Sequence, residues 1–150
     1  MNSTLLAGGL ALLAGLVIPL QAVINSRLGN HIGGPLPAAL VNFFVGFCVL
    51  FASCLVSRLS LPSTGQIAQT SWWMYVGGMM GAFLVFSSAF AVPKLGATLL
   101  IALIVGGQQL TSVAIDHFGV LGAPEIPLNW QRAVGVILLI AGVLLIQRSG

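Results

Sequence analysis

The segment from Gly96 to Gly119, GATLLIALIVGGQQLTSVAIDHFG, restricts the possible folds of this chain more than any other. It is apolar over about 20 residues, the length that a helix needs to cross a bilayer. The composition agrees, because 58% of the 150 residues are hydrophobic, 5% are charged, and the mean hydropathy is +1.10. We therefore expect a multi-pass membrane protein.

Polar side chains form a stripe along this segment. At about 100° per residue they fall within roughly a third of the helix circumference, whereas the opposite side is Leu, Ile and Ala. The stripe either forms hydrogen bonds to a neighbouring helix or lines a solute pathway, and the sequence leaves both interpretations open. Its members are Lys94, Thr98, Gln108, Gln109, Ser112 and Asp116, together with the apolar residue Val105, which lies on the same face.

The hydropathy pattern and the turn residues predict an all-α fold with five transmembrane helices in a single transmembrane domain, residues 1–150. The segments GNHIGGPLP and VPKLG predict short turns between antiparallel neighbours. His31 is expected to be a solvated residue of the first turn, and SRLSLPSTGQIAQT is expected to be an extramembrane loop. The five predicted helices cover residues 4–28, 35–58, 72–92, 95–117 and 130–147.

Amide side chains also occur in the first two predicted helices. Gln21 and Asn25 are one turn apart and follow Pro19, which frees a backbone carbonyl. They form either a recognition point or simply the helix end at the headgroups. Asn42 shares one side of the second helix with small residues, a pattern more typical of close helix contact than of ligand binding. The candidate solute-binding residues are Gln21, Asn25, Asn42, Gln108, Gln109 and Ser112.

Small and aromatic residues predict how the helices pack and where they meet the headgroups. Gly77 and Gly81 have the spacing that lets two helices approach closely, and Gly135 and Gly142 share a face that could pack against another protomer. Aromatic residues bunched at the start of the third helix favour an interfacial belt over a cation-binding box. They are Trp72, Trp73 and Tyr75.

Few residues offer chemistry beyond hydrogen bonding. Asp116 is the acidic residue near a helix and hence the ion-coupling candidate, although a capping or salt-bridge role is an equal alternative. Cys48 and Cys54 are interpreted as small core residues. No metal-spaced cluster, phosphate loop or nucleophile with a base appears, so no enzyme activity, metal or cofactor is expected. The five basic residues are scattered, so no nucleic acid partner is expected.

The basic residues specify the orientation of the chain only weakly. No Lys or Arg precedes the first apolar run, so a cleavable signal peptide is not expected and that run should remain as the first helix. Five helices place three basic residues on one side of the membrane and two on the other, which is little bias. Two oppositely inserted copies would form an antiparallel dimer with an inverted repeat, a common architecture of secondary transporters. The two sets are Arg27, Lys94 and Arg148 against Arg58 and Arg132.

Four stretches resemble the five-helix, YdcZ-like branch of the drug/metabolite transporter superfamily: PLQAVINSRLG, AALVNFFVG, WWMYVGGMMGAF and VPKLGATLLIALIVGGQQLTSVAIDHFG. The resemblance implies a bacterial inner-membrane protein that forms half of a ten-helix inverted repeat, completed by an antiparallel homodimer or by a homologous chain. It implies no substrate, because the branch is largely of unknown function. Small multidrug exporters of the superfamily carry an acidic residue in their first helix. Residues 4–28 contain none, which argues against proton-coupled export of hydrophobic cations.

The sequence thus favours a secondary-active transporter of a small polar or weakly charged metabolite, working by alternating access within the lipid bilayer. Amide groups donate and accept hydrogen bonds, so they suit solutes with hydroxyl, amide or carboxylate groups. The alternative is a non-transporting membrane module that binds a partner protein or lipid.

Overall fold

The computed structural model describes residues 3–149, and helices account for most of them. Two short 3₁₀ turns, Trp72–Tyr75 and Val120–Gly122, precede and follow the longest helix, and no strand occurs in the described part of the chain. The helices are α1 (Ser3–Ile32), α2 (Pro35–Val56), α3 (Thr64–Gln69), α4 (Val76–Phe118) and α5 (Trp130–Ser149).

Within residues 3–149, four helical stretches are long and apolar enough to cross a membrane. One of them, Trp72–Phe118, has 47 residues. At about 1.5 Å per residue it is about twice as long as one crossing requires. The backbone of Gly96 is not helical (φ 73°, ψ 163°) and divides α4 into α4a (76–95) and α4b (97–118). Each part is about 20 residues long, so the chain contains the five apolar segments that the sequence predicts.

The chain forms two compact units, Met1–Lys94 and Leu95–Gly150. The first contains α1, α2, α3 and α4a, and the second contains α4b and α5.

In the first unit, α1 and α2 form a helical hairpin with a glycine turn. Gly33 adopts φ 95°, and the Gly34 N–H donates to the Gly29 carbonyl at 2.8 Å. This is the bond pattern of a Schellman motif, which needs a residue without a Cβ in the left-handed region. A Cβ on Gly29 would lie 3.1 Å from the Gly34 carbonyl oxygen, so α2 begins directly against α1.

Helix α1 is longer than the sequence predicted, because it continues to Ile32 rather than ending near residue 28. His31 therefore lies in its last turn and not in a loop, and the Nδ1 atom of its exposed ring is 2.8 Å from the Arg27 carbonyl. The Schellman bond from Gly34 to Gly29 explains why α1 is longer than predicted, since it lets the helix continue up to Gly33.

The predicted loop between the second and third spans contains the short helix α3. Its start is a capping box, in which the Gln66 N–H donates to Ser63 Oγ at 3.3 Å and the Ser63 N–H donates to Gln66 Oε1 at 2.8 Å. The sequence carries this signal as Ser followed three residues later by Gln. The Tyr75 hydroxyl donates to the Ile67 carbonyl at 3.3 Å and so links α3 to the 3₁₀ turn Trp72–Tyr75.

Small residues dominate the buried core of the described chain, whereas most large apolar side chains are exposed, as suits helices surrounded by lipid. Cys48 is exposed and Cys54 is only partly buried, so neither lies in the core that the sequence predicted. The buried apolar residues are Ala22, Ala38, Ala39, Ala89 and Leu100.

Candidate functional site

The predicted polar residues fall into two groups, one in each unit. In the first unit, the Asn42 Nδ2 group donates to Asn25 Oδ1 at 2.8 Å and joins α2 to α1. Asn25 is 4% exposed. Because an unpaired amide in an apolar environment is costly, this bond favours packing over solute recognition for Asn25.

A second feature of the first unit is a cleft of about 340 Å³, here called the amide cleft. Gln21 from α1 and Asn42 from α2 supply its polar groups, and none of the residues lining it carries a charge. The remaining lining residues are Phe43, Gly46, Phe47, Leu50 and Val85.

Of the two predicted packing glycines in this unit, Gly81 lies against a neighbouring helix. A Cβ on Gly81 would be 3.5 Å from Cζ of Phe43, so α4a comes close to α2 there. No atom lies within 4 Å of the corresponding position on Gly77. The close approach predicted for the pair is therefore seen at Gly81 alone within the described residues.

In the second unit, α4b and α5 enclose a cleft of about 380 Å³, here called the ion-pair cleft. The Arg132 Nη1 group donates to Asp116 Oδ2 at 3.0 Å, and the two side chains are 33% and 34% exposed. This pair corresponds to the salt-bridge alternative for Asp116. The cleft is lined by Gln109, Ser112, Val113 and Asp116 from α4b and by Arg132, Gly135, Val136 and Leu139 from α5.

The connection between α4b and α5 holds the charged pair in place. Asp116 lies two residues before the end of α4b, and its carbonyl accepts a 2.7 Å hydrogen bond from the Ile126 N–H. Arg132 lies in the first turn of α5, where its N–H donates to the Asn129 side chain at 2.9 Å, an N-cap interaction. In addition, the Leu128 N–H donates to His117 Nδ1 at 3.1 Å. Both helix ends are therefore bonded to the loop.

Helix α4b comes close to α5 at Gly106. A Cβ on Gly106 would lie 3.6 Å from Leu139 Cδ2, which is van der Waals contact. Gly135 and Gly142, for which the sequence predicts packing against another protomer, have no atom of the described chain within 4 Å of their Cβ positions, and that packing remains a prediction. Gly135 lines the ion-pair cleft, and Gly142 lines an apolar groove further along α5.

The predicted polar stripe is divided in the structure. Gln109, Ser112 and Asp116 line the ion-pair cleft, whereas Gln108, which is exposed like Gln109, lines neither of the two clefts named above. Lys94 precedes the break at Gly96 and is therefore out of helical register with the stripe. Its Nζ lies 3.5 Å from the centroid of the Phe90 ring, a cation–π contact that the sequence analysis did not anticipate.

Thr98 and Val105 complete the stripe, and both line the apolar groove that Gly142 also lines. The residues around Thr98 and Val105 are therefore less polar than the residues around Asp116. The polar groups that meet in one place are an amide, a hydroxyl, a carboxylate and a guanidinium. They can recognise a solute by hydrogen bonds and charge.

Several apolar helices long enough to cross a membrane, with polar groups in the clefts between them, define a multi-pass membrane protein. The sequence matches the family described as "Putative inner membrane exporter, YdcZ" over residues 6–145, and the chain belongs to this family. It is 31% identical over 136 residues to "Inner membrane protein YdcZ" of Escherichia coli (strain K12), a match that covers 90% of each chain. No solved structure matches the chain.

The match confirms the YdcZ-like resemblance, and the protein is a multi-pass protein of the bacterial inner membrane. The family description names an exporter, and neither description names an enzyme.

We expect the bond between Asn25 and Asn42 to stabilise the α1–α2 hairpin measurably. A double-mutant cycle with Asn25→Ala and Asn42→Ala, followed by unfolding in mixed micelles, should give a coupling energy of about 0.5 to 2 kcal/mol. The same cycle on Asn42 and Cys48, an exposed residue of the same helix, serves as the control and should give additive effects. Additivity of the Asn25 and Asn42 substitutions would contradict this account of the hairpin.

Proposed function

We propose that this protein is a secondary-active transporter that exports a small polar or weakly charged solute by alternating access. The ion-pair cleft carries the proposal, because it gathers four polar side chains between two mainly apolar helices. Polar and ionisable groups within membrane helices commonly line solute or ion pathways. The family description supports export as the direction.

The hydroxyl groups of the chain support solute binding in the cleft. In a membrane helix, a Ser or Thr hydroxyl can donate to the carbonyl four residues earlier. Thr111 does so, with its hydroxyl 3.0 Å from the Gly107 carbonyl, and so do Ser53 and Ser88. Ser112, which lines the ion-pair cleft, makes no such bond within the described residues, and neither do Ser26, Ser87 and Thr98, which lie outside this cleft. Its hydroxyl is therefore available to a solute.

Gln109 strengthens this argument. Its exposed amide also lines the ion-pair cleft and forms no hydrogen bond within residues 3–149. An unpaired amide in hydrocarbon is unfavourable, so water or a solute should occupy the cleft beside it. Two unpaired polar groups on one cleft wall favour solute binding over helix packing for this part of the stripe.

The proposal includes a dual-topology dimer. Two copies inserted in opposite directions would supply the inverted halves from which alternating access follows. The nearly balanced basic residues support this assembly.

Substituting Gln109 should impair transport more than substituting its neighbour. We expect Gln109→Leu to weaken solute binding roughly 5- to 150-fold, the effect of losing a hydrogen bond of about 1 to 3 kcal/mol. The measurement is counterflow of labelled polar metabolites in proteoliposomes. Gln108→Leu is the matched control, because the same change is made one residue away and outside the cleft. Equal loss in both variants, or loss in Gln108→Leu alone, would place the solute elsewhere.

Dual insertion should be visible at the termini. Cysteine tags at the two ends of a cysteine-free chain should each react with impermeant reagents from both sides of the membrane, since the charge bias is small. Adding two or three lysines near Ser63 should shift that loop towards the cytoplasm and is the internal control. Labelling of each terminus from a single side in the parent chain would rule out the antiparallel homodimer.

A further inference from the structure

The charges in the ion-pair cleft restrict which solutes it can hold. Asp116 and Arg132 supply one negative and one positive charge, and the residues that line the rest of the cleft are uncharged. The two groups pair at 3.0 Å, yet about a third of each side chain is exposed. A solute that enters the cleft can therefore reach both charges.

A solute with one charge fits this arrangement poorly. A cation that takes Asp116 leaves Arg132 without its partner, and an anion that takes Arg132 leaves Asp116 alone. An uncompensated charge in such a partly buried site is unfavourable, although less so than in a fully buried one. A zwitterion avoids both losses, because its ammonium pairs with the carboxylate and its own carboxylate pairs with the guanidinium.

The rest of the cleft indicates the size of the zwitterion. Gln109 and Leu139 lie seven residues from Asp116 and Arg132 respectively, which corresponds to about 10 Å along each helix. Val113 and Val136 line the same cleft and make part of its wall apolar. The volume of about 380 Å³ is that of a small-molecule site. A short apolar substituent fits beside the charged groups, with Gln109 free to bond to a polar one.

We propose that the ion-pair cleft binds a small zwitterion of the α-amino acid type. The solute inserts between Asp116 and Arg132 and replaces their direct hydrogen bond with two of its own. This inference rests on the proposed function for the transport step and names the substrate class of the same cleft. Binding itself requires no transport and can be measured separately.

Three probes that share the valine side chain test whether binding requires both charges of a zwitterion. They are L-valine, a zwitterion; L-valinamide, a cation at about pH 6 because its amino group is protonated there; and N-acetyl-L-valine, an anion. Binding to the full-length protein in nanodiscs is measured by titration calorimetry. We expect valine to bind at least about tenfold more tightly than either derivative, the effect of one charge-assisted hydrogen bond in a half-exposed site. Equal affinity for the three probes would overturn the proposal.

Two single substitutions should change the preference in opposite directions. Asp116→Asn leaves Arg132 unpaired, so N-acetylvaline should become the best ligand of the three. Arg132→Gln leaves Asp116 unpaired, so valinamide should become the best. An ion pair that serves only to hold the helices together predicts equal losses for all probes in both variants, and that result would overturn the proposal.

Two further variants keep the test independent of stability. Glu125→Gln removes the other acidic residue of the chain, which is exposed and does not line the cleft, and should leave all three affinities unchanged. The double variant Asp116→Asn with Arg132→Gln is neutral again and should bind the three probes within about twofold of one another.

The outcomes separate this inference from the proposed function. Absence of valine binding, with counterflow of some other polar solute intact, would overturn the zwitterion site and leave the transporter standing. Valine binding with the expected preference, but with no counterflow of valine or any other solute, would support the site and contradict transport.

Discussion

The cost of an unpaired polar group in hydrocarbon is the constraint on which this structure depends. The chain meets it in three ways. Asn25 and Asn42 satisfy each other between α1 and α2, the hydroxyls of Ser88 and Thr111 donate to their own helices, and Asp116 pairs with Arg132. Gln109 and Ser112 have no partner within the described residues, which is also true of Gln21 and Gln108, but only Gln109 and Ser112 share a cleft with the ion pair. Our functional proposal follows from that difference.

Glycines determine where the helices can come together or change direction. Gly33 ends α1 in a left-handed conformation, and Gly29 leaves room for the start of α2. Gly96 interrupts α4 and so converts one helix of excessive length into two segments that each suit a bilayer. Gly106 contacts α5, whereas Gly135 has free space around it and keeps the ion-pair cleft open. Glycine thus allows close helix contact in one part of the α4b–α5 interface and leaves space in another.

The sequence alone predicted the membrane class, the family and the five apolar segments, because these depend on hydropathy and on motifs that are local in the chain. The solute-binding side chains that it nominated remain predictions. It could not predict the partner of Asn42, since Asn25 is 17 residues away and their meeting depends on the register of two helices. The sequence could not identify Arg132 as the partner of Asp116 either, because the two residues lie on different helices. The capping box of α3, in contrast, was visible in the sequence and was overlooked.

The central claim is that the ion-pair cleft admits water and solute, and thiol labelling tests it most directly. Cys48 and Cys54 are first replaced by alanine, and a single cysteine is then introduced at Gly135, which lines the cleft, or at Leu138, which is 67% exposed on the same helix but lines none of the clefts described above. A hydrophilic maleimide reacts with the thiolate, which forms in water and not in lipid. The account predicts rapid labelling of Gly135→Cys in intact membranes and little labelling of Leu138→Cys. Equal labelling of the two positions, or none at Gly135→Cys, would contradict it.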